Sequence, residues 1–257
     1  MTNRTTSFLL FLTMSLATAG TAQSAAKTDG WAFVVEPYIL ASSIEGDASI
    51  GRVTGVDIEV NFGDILDTLD IGAMIHFEAI RNDKWGILLD YGFMDLSAKG
   101  SVAKNGVLEA DVRQGVLEAF LMRRFGQKAN TLDVYGGIRW WDNDIGATVD
   151  STVLPGTPSL DIKEDWIDPV IGVRWHHPIS GKWDLMLRGD IGGFGIESDF
   201  TSALGASVFW NFNPRYALEL AYRATWVDFE DGTRQTPDYF AYDTVTHGPL
   251  VGLVFRF

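Results

Sequence analysis

Hydrophobic and polar residues alternate with a period of two along most of the chain. From residue 31 to the end, one series of positions is apolar and the other is polar, small or charged. In the segment 85–93 the apolar series is Trp85, Ile87, Leu89, Tyr91 and Phe93. A period of two places each series on its own face of a β-strand. The alternation predicts strands near 31–42, 70–81, 85–97, 112–125, 131–143, 166–177, 183–194, 201–212, 216–228 and 247–257.

The links between these segments alternate in length. Short links fall at 82–84, 126–130, 178–182 and 213–215, and longer ones fall at 98–111, 144–165, 195–200 and 229–246. Outer-membrane barrels combine short periplasmic turns with longer outer loops. The pattern therefore predicts an all-β, antiparallel up-and-down barrel of about ten strands, with both termini on the periplasmic side. Eight or twelve strands are the alternatives.

The segment 43–69 is the ambiguous part of this pattern. It contains an alternating stretch at 56–62, followed by a helical-looking stretch at 63–69. Counting it as one full strand would place the termini on opposite sides of the barrel. We therefore interpret it as a long first outer loop, with a β-segment of its own and a turn that folds inward.

The apolar face of these strands could lie against a soluble core or against lipid. Tryptophans recur at strand ends, as they do in the aromatic girdles of membrane barrels. The candidate strands run for about ten residues or more, which is longer than is usual in soluble sheets. The chain also ends on Phe255 and Phe257 in an apolar series, a pattern typical of the signal read by the barrel-assembly machinery. These features predict a transmembrane barrel; a secreted soluble β-barrel that binds an apolar ligand is the alternative.

Composition narrows the classes of function. The chain of 257 residues has no cysteine, which excludes disulfides and thiolate metal sites. Its net charge of −14 disfavours binding to nucleic acid. Arg4, an apolar stretch at 7–19 and small residues after it predict a signal peptide at 1–26, cleaved between 19 and 26. The remaining 27–257 would form a single barrel domain in the outer membrane of a Gram-negative bacterium.

The inward series of the predicted strands is rich in charged residues. A narrow barrel has room for side chains or one small ligand, so these charges must pair or stay hydrated. We expect a lumen network formed by Glu36, Glu78, Asp90, Glu118, Asp133, Arg139, Asp168, Arg174, Arg188, Asp190, Glu219 and Arg223. Asp184, Arg256, His76 and His176 also belong to the inward series.

A short repeat predicts the register of two neighbouring strands. Asp-x-x-x-Gly-x-Arg-Trp occurs at 133–140 and again at 168–175. If residue i faces residue 307 − i, Asp133 lies opposite Arg174 and Arg139 lies opposite Asp168. Each opposite-charge pair would stabilise the wall by a fraction of a kcal/mol to about 1 kcal/mol.

The sequence gives little sign of catalysis. It lacks a Gly-x-Ser-x-Gly nucleophile elbow and a His-Glu-x-x-His metal site. His76 and Glu78 share one face and could pair, a contact that is more often structural than catalytic. The glycine-rich run 189–195 fits a bend better than a phosphate loop. We predict no catalytic residue, no metal site in the barrel and no cofactor; an outer-membrane enzyme acting on lipid or peptide is the alternative.

Several segments resemble a known group of proteins. They are 166–174, 188–195 with Ser198-Asp199, the motif Phe-x-Asp-Ile-Leu-x-x-Leu-Asp at 62–70, and Phe77-Glu78-Ala79. The chain resembles a group of proteobacterial outer-membrane β-barrel proteins within the wider class of small OmpA-like and OmpW-like barrels. The resemblance covers nearly all of 27–257 and implies a barrel fold but no activity.

We therefore expect a non-enzymatic outer-membrane protein. It would stabilise the envelope, or bind or pass a small solute through a narrow, charged lumen. The expected partners are outer-membrane lipid, lipopolysaccharide and the barrel-assembly machinery. The acidic outer loops could also hold divalent cations, which take oxygen ligands.

Overall fold

The computed structural model describes residues 30–257 apart from 52, 62, 66–68, 103–105, 128–129 and 151–158. The predicted signal peptide lies outside the described residues. The strands are β1 (Trp31–Leu40), β2 (Ser43–Ile50), β3 (Val53–Val60), β4 (Leu69–Arg81), β5 (Trp85–Val102), β6 (Gly106–Gln127), β7 (Asn130–Asp150), β8 (Ser159–Ser180), β9 (Trp183–Gly192), β10 (Phe200–Asn211), β11 (Tyr216–Asp231) and β12 (Phe240–Arg256). None of the helices in this part of the chain is long and apolar enough to cross a membrane.

Ten antiparallel strands close the barrel, as the alternation predicts. The order runs β1, β4 and then β5 to β12, and pairing of β1 with β12 closes the ring. The turn between β4 and β5 is tight: Asn82 and Asp83 have φ angles of 51° and 53°. Two successive left-handed residues suit the right-handed twist of a hairpin. By analogy with outer-membrane barrels, the end that carries these short turns faces the periplasm.

The segment 43–69, interpreted above as an outer loop with a β-segment of its own, contains a two-stranded hairpin. β2 continues the line of β1 along β12, with Ile50 opposite Phe240, and β3 returns beside β2. A helical turn at 63–65 follows, and Ile65 is buried against Ile44 and Met94. The hairpin extends the outer wall without adding a strand to the closed ring.

The outside of the barrel carries an apolar band. Ile39, Leu121 and Leu204 are among the many large hydrophobic side chains that are more than half exposed there. Aromatic side chains lie at the strand ends; Trp183 stacks on Trp210 with ring centroids 6.1 Å apart. An apolar belt with aromatic rims is the surface that a lipid bilayer requires.

The outer ends of the strands form an aromatic core inside the barrel. β5 to β8 have 18 to 22 residues, whereas about 9–11 residues are enough to span a membrane. β9 and β10 have only 10 and 12 residues, so β8 and β11 rise above this hairpin on either side. There Trp166 of β8 stacks on Phe229 of β11, with centroids 3.9 Å apart.

We name the residues of this core the outer aromatic cluster. They come from β7 and β8 on one side and from β11 and β12 on the other, so the barrel walls meet across the lumen. The cluster consists of Trp141, Trp166, Val227, Phe229, Phe240 and Tyr242.

Candidate functional site in the barrel interior

The inward series of ten strands delivers a dense set of charges to the lumen. The inward side chains alternate along each strand with side chains that face lipid. Asp133, Arg139 and Asp168 are completely buried, although each bears a polar or charged group. A charge buried in this way must find a partner or a set of hydrogen bonds. The contacts below show which partners these residues find.

Glu118 of β6 lies at the centre of the lumen. Its carboxylate accepts hydrogen bonds from Arg139 at 2.7 and 2.9 Å, from Arg188 at 2.6 Å and from Arg223 at 3.0 Å. The three arginines come from β7, β9 and β11. Glu118 therefore links opposite walls of the barrel.

Asp190 of β9 forms a second node beside Glu118. Arg139 donates to it at 2.9 Å, Arg188 at 3.1 Å and the Tyr135 hydroxyl at 3.0 Å. The backbone N–H of Ala203 donates at 3.0 Å. Every donor is held by a strand, so the carboxylate is fixed from several directions.

Asp133 carries the network toward the periplasmic end. Arg124 donates to its two oxygens at 2.7 and 2.9 Å, and Arg174 donates to one of them at 3.0 and 3.2 Å. Arg174 also forms a salt bridge with Glu78 of β4. Asp133 lies directly opposite Arg174 in the sheet, so the predicted register is confirmed.

Arg124 is absent from the residues expected from the sequence. It lies opposite Asp133 on the neighbouring strand, at the end of β6. The pair Arg123-Arg124 carries the missed signal, because adjacent residues on a strand face opposite sides. Arg123 lies over the ring of Trp85 on the outside, 4.6 Å from its centroid, so Arg124 points inward.

His76 connects the two halves of the network. Its Nε2 lies 2.9 Å from Glu78 and its Nδ1 lies 3.0 Å from Asp90. The Tyr38 hydroxyl donates to Asp90 at 2.6 Å, and Arg223 donates to it at 3.4 Å. Each ring nitrogen contacts a carboxylate, one on β4 and one on β5, and these contacts hold the two strands together.

Arg139 lies opposite Asp168 as predicted, but the expected ion pair between them does not form. The Arg139 side chain turns to Glu118 and Asp190 instead. Asp168 accepts hydrogen bonds from the indoles of Trp141 and Trp166, each at 3.2 Å. A register fixes backbone neighbours, whereas a long arginine side chain can reach several strands.

Asp168 anchors the link between β9 and β10. The backbone N–H of Ser198 donates to it at 3.0 Å, and the Ser198 hydroxyl donates at 2.8 Å. Gly193, Phe194 and Gly195 have positive φ angles in this link, which turns back on the barrel. The glycine-rich run is thus a bend, held in place from inside the lumen.

Glu36 and Glu219 lie inside the barrel but outside this network. Both are buried, and they are close enough for their carboxyl groups to interact. Neither takes part in an ion pair among the described residues. They line a cavity of about 420 Å³ that extends past Phe33, Asn211 and Phe257 at the periplasmic end.

The inward residues near that end form a separate polar contact. Arg256 donates to the side chain of Asn211 at 2.7 Å, and Asn211 donates to Asp184 at 2.6 Å. His176 Nε2 lies 3.8 Å from an oxygen of Asp133. Asp184 and Arg256 therefore do not join the central network.

The central network has equal numbers of carboxylates and guanidinium groups. Glu78, Asp90, Glu118, Asp133 and Asp190 supply five carboxylates, and Arg124, Arg139, Arg174, Arg188 and Arg223 supply five guanidinium groups. Above them lies the outer aromatic cluster, which the sequence analysis missed. A cavity of only about 80 Å³ lies between the two, near Tyr38 and Trp141.

The C-terminus completes the barrel. Phe257 exchanges two backbone hydrogen bonds with Phe33, at 2.9 and 3.2 Å, and its side chain is 72% exposed. The Phe255 ring contacts Tyr216 edge-on, with centroids 5.8 Å apart. Both rings belong to the outside of the barrel.

No group of three or more histidines or carboxylates in the described part of the chain is placed to hold a metal ion. The proposed cation contacts of the outer loops stay a prediction. Part of the third outer loop, 151–158, lies outside the described residues.

Comparison with known structures identifies the fold. The barrel is similar to the translocator domain of the autotransporter NalP from Neisseria meningitidis, with a TM-score of 0.51 and 14% identity, over 94% of this chain and 91% of that one. Weaker matches include Ail, the attachment invasion locus protein of Yersinia pestis (TM-score 0.40, 12% identity, 89% of this chain and 99% of that one), and the Pseudomonas putida toluene transporter TodX (0.35, 10%, 89% and 89%).

No protein-family model matches the sequence, and no curated protein is significantly similar to it. At these identities the structural likeness shows the fold alone. The chain has the antiparallel up-and-down barrel fold of Gram-negative outer-membrane proteins, and the predicted fold class is confirmed.

Proposed function

We propose that this protein is a non-enzymatic outer-membrane barrel with a closed interior and a structural role in the envelope. The observation that supports the proposal is the double obstruction of the lumen. The central network links opposite walls by charged hydrogen bonds, and the outer aromatic cluster fills the lumen above it.

The network resists opening because its members are buried. Separating Arg139 from Glu118 and Asp190 would leave charges without partners in the lumen, which costs several kcal/mol. The outer aromatic cluster adds a second obstacle. Stacked rings such as Trp166 and Phe229 leave no room for water between them. A hydrated solute would have to disrupt both regions to cross.

Planar-bilayer recording tests the closed interior. The purified barrel should show no stable conductance steps in potassium chloride over the range of voltages that the bilayer tolerates. Replacing Trp166 and Phe229 by alanine, together with Glu118→Ala and Arg139→Ala, removes both obstructions and should produce steps. Trp183→Ala, on the lipid face, is the matched control and should stay silent. Stable steps from the unaltered barrel would favour a narrow channel instead.

The surface supports membrane lipid and lipopolysaccharide as partners. The apolar band would contact acyl chains, and the aromatic rims would lie at headgroup level. The outer ends of β5 to β8 extend by about ten residues, or about 30 Å, beyond the span that a bilayer needs. This part of the barrel would lie among the lipopolysaccharide sugars.

A further inference from the structure

We propose that the periplasmic cavity binds a small organic amine, whose ammonium group lies between Glu36 and Glu219 and whose apolar body fills the rest of the cavity. The cavity lies below the outer aromatic cluster and against the central network, and it reaches the periplasmic end of the barrel. Binding there needs no passage through the barrel, so the proposal stands apart from the closed interior.

The charges around Glu36 and Glu219 favour a bound cation. Every guanidinium group of the central network has carboxylate partners there, and neither Glu36 nor Glu219 belongs to an ion pair of the described residues. Two carboxyl groups side by side cannot both be ionised at low cost unless a cation or a shared proton lies between them. Among the described residues no cationic side chain forms an ion pair with either acid, although arginines line other parts of the cavity.

The Glu36 carboxyl group has unused hydrogen-bonding capacity. Its side chain is buried, with 6% of the residue exposed, and its Oε1 accepts no hydrogen bond. A buried carboxylate oxygen without a donor is costly, and an ammonium group carries three donors. A primary ammonium therefore matches what this position lacks.

Gly252 leaves space for the Glu36 carboxyl group. Gly252 of β12 lies opposite Glu219, and a Cβ atom at this position would clash with Glu36 Oε1. The missing side chain thus allows the Glu36 carboxyl to lie against the wall beside Glu219. Any larger residue would displace it.

The size and lining of the cavity suit an amine with an apolar body. Its volume of about 420 Å³ lies within the range of small-molecule sites. Val34, Met186, Phe209 and Val254 form an apolar wall near the two acids. Two carboxyl groups supply at most four oxygen ligands, fewer than the six or more that calcium or magnesium takes. An amine with an apolar body uses both parts of the cavity.

Isothermal titration of the full barrel in detergent with phenethylammonium at pH 7 tests the proposal. We expect saturable binding, and weaker binding of methylammonium and of neutral 2-phenylethanol. Glu36→Gln and Glu219→Gln keep the size of the side chains and should each weaken binding at least about tenfold, because a hydrogen bond to a charged group is lost.

Gly252→Ala provides a test that removes no charged group. It should weaken binding comparably by displacing Glu36. Gly205→Ala is the matched control, because a Cβ there meets only ordinary contacts at 3.8 and 4.0 Å while facing the same cavity. Heat-modifiable mobility on a gel verifies that each variant is folded.

Three results would overturn the proposal. They are absence of saturable binding, equal binding by 2-phenylethanol, and unchanged binding when both acids are replaced by glutamine. If the two carboxyl groups simply share a proton, the first result is obtained.

Discussion

Arg139 is fully buried and donates hydrogen bonds to Glu118, Asp190 and Thr201, which belong to three different strands. Arg139→Met keeps an apolar stem but leaves two carboxylates short of a partner. We expect the free energy of unfolding to fall by about 3–5 kcal/mol, as for other broken buried ion pairs. Urea unfolding in lipid vesicles, followed by tryptophan fluorescence, measures the loss.

Arg113→Met is the matched control at the outer end. Arg113 is half-exposed, and its nitrogen lies 3.6 Å from both Asp142 and Asp144. Exposed pairs of this kind contribute less than about 1 kcal/mol. Equal losses in the two variants would show that the interior network is not the dominant ionic contribution.

Asp228 lies on β11 beyond the membrane span, and its environment opposes ionisation. Burial, followed by the charges of Asp243, Asp199 and Glu230, raises its pKa above the ordinary value of 3.8. A raised carboxyl pKa means that the folded state is penalised once the pH exceeds the ordinary value, and the penalty is complete above the raised value.

Asp228→Asn should therefore stabilise the outer end of the barrel at pH 7 and have no effect at pH 3. The expected gain is about 0.2–1 kcal/mol, the range for like charges on adjacent strands. Hydrogen exchange of the outer amides of β11 and β12 at the two pH values measures it. A gain that persisted at pH 3 would assign the effect to something other than charge.

At the scale of elements, the ten barrel strands follow from the alternation because lipid and lumen impose opposite polarity on alternate residues. The register of β7 and β8 follows from the repeated motif for the same reason. The β2–β3 hairpin could not be placed in this way. Its partner is the outer part of β12, nearly the whole chain away, and nothing local indicates that contact.

The contents of the lumen were only partly predictable. Which residues face inward follows from the period, but which of them touch depends on the reach of side chains across the barrel. The indoles of Trp141 and Trp166 illustrate the difficulty. Tryptophan is expected at the lipid rim, so an inward pair appears only when the strand faces are traced residue by residue.

Replacing residues 43–61 by a short glycine-serine linker tests the role of the hairpin. The closed ring should still form, because β1 holds both β4 and β12 below it. The outer part of β12 loses β2 and stays paired with β11 alone, and Phe240 and Tyr242 lose the packing of Ala48 and Ile50. We expect normal heat-modifiable mobility together with faster proteolysis of β12 near 240. Loss of the folded band would instead make the hairpin part of the barrel's essential framework.

At the scale of the whole molecule, Phe257 allows the predicted assembly role to be tested separately from stability. The Phe257 side chain is exposed and its backbone makes the closing hydrogen bonds. Phe257→Ala should therefore leave refolding into detergent unchanged, with a shift in unfolding free energy below about 0.5 kcal/mol. In cells, the folded yield in the outer membrane should fall several-fold if the assembly machinery reads this residue.

Leu220→Ala, another exposed apolar side chain on the lipid face, is the control for that experiment. It should give a normal yield in cells. Equal yields of the two variants would remove Phe257 from the assembly signal.

β12 is paired with β1 near the periplasmic end and with β2 at the outer end, and this change has a mechanical consequence. From residue 34 to residue 37, β1 is bonded to both β4 and β12, whereas from residue 43 onward β2 is bonded to β12 and β3 only. A force applied to the tip of the hairpin would peel β2, and then the outer end of β1, from β12 one bond at a time and stop near Pro37. There the load passes to two rows of bonds in parallel. An atomic-force pulling trace should therefore show a weak first rupture, and then a much stronger one as the ring itself opens.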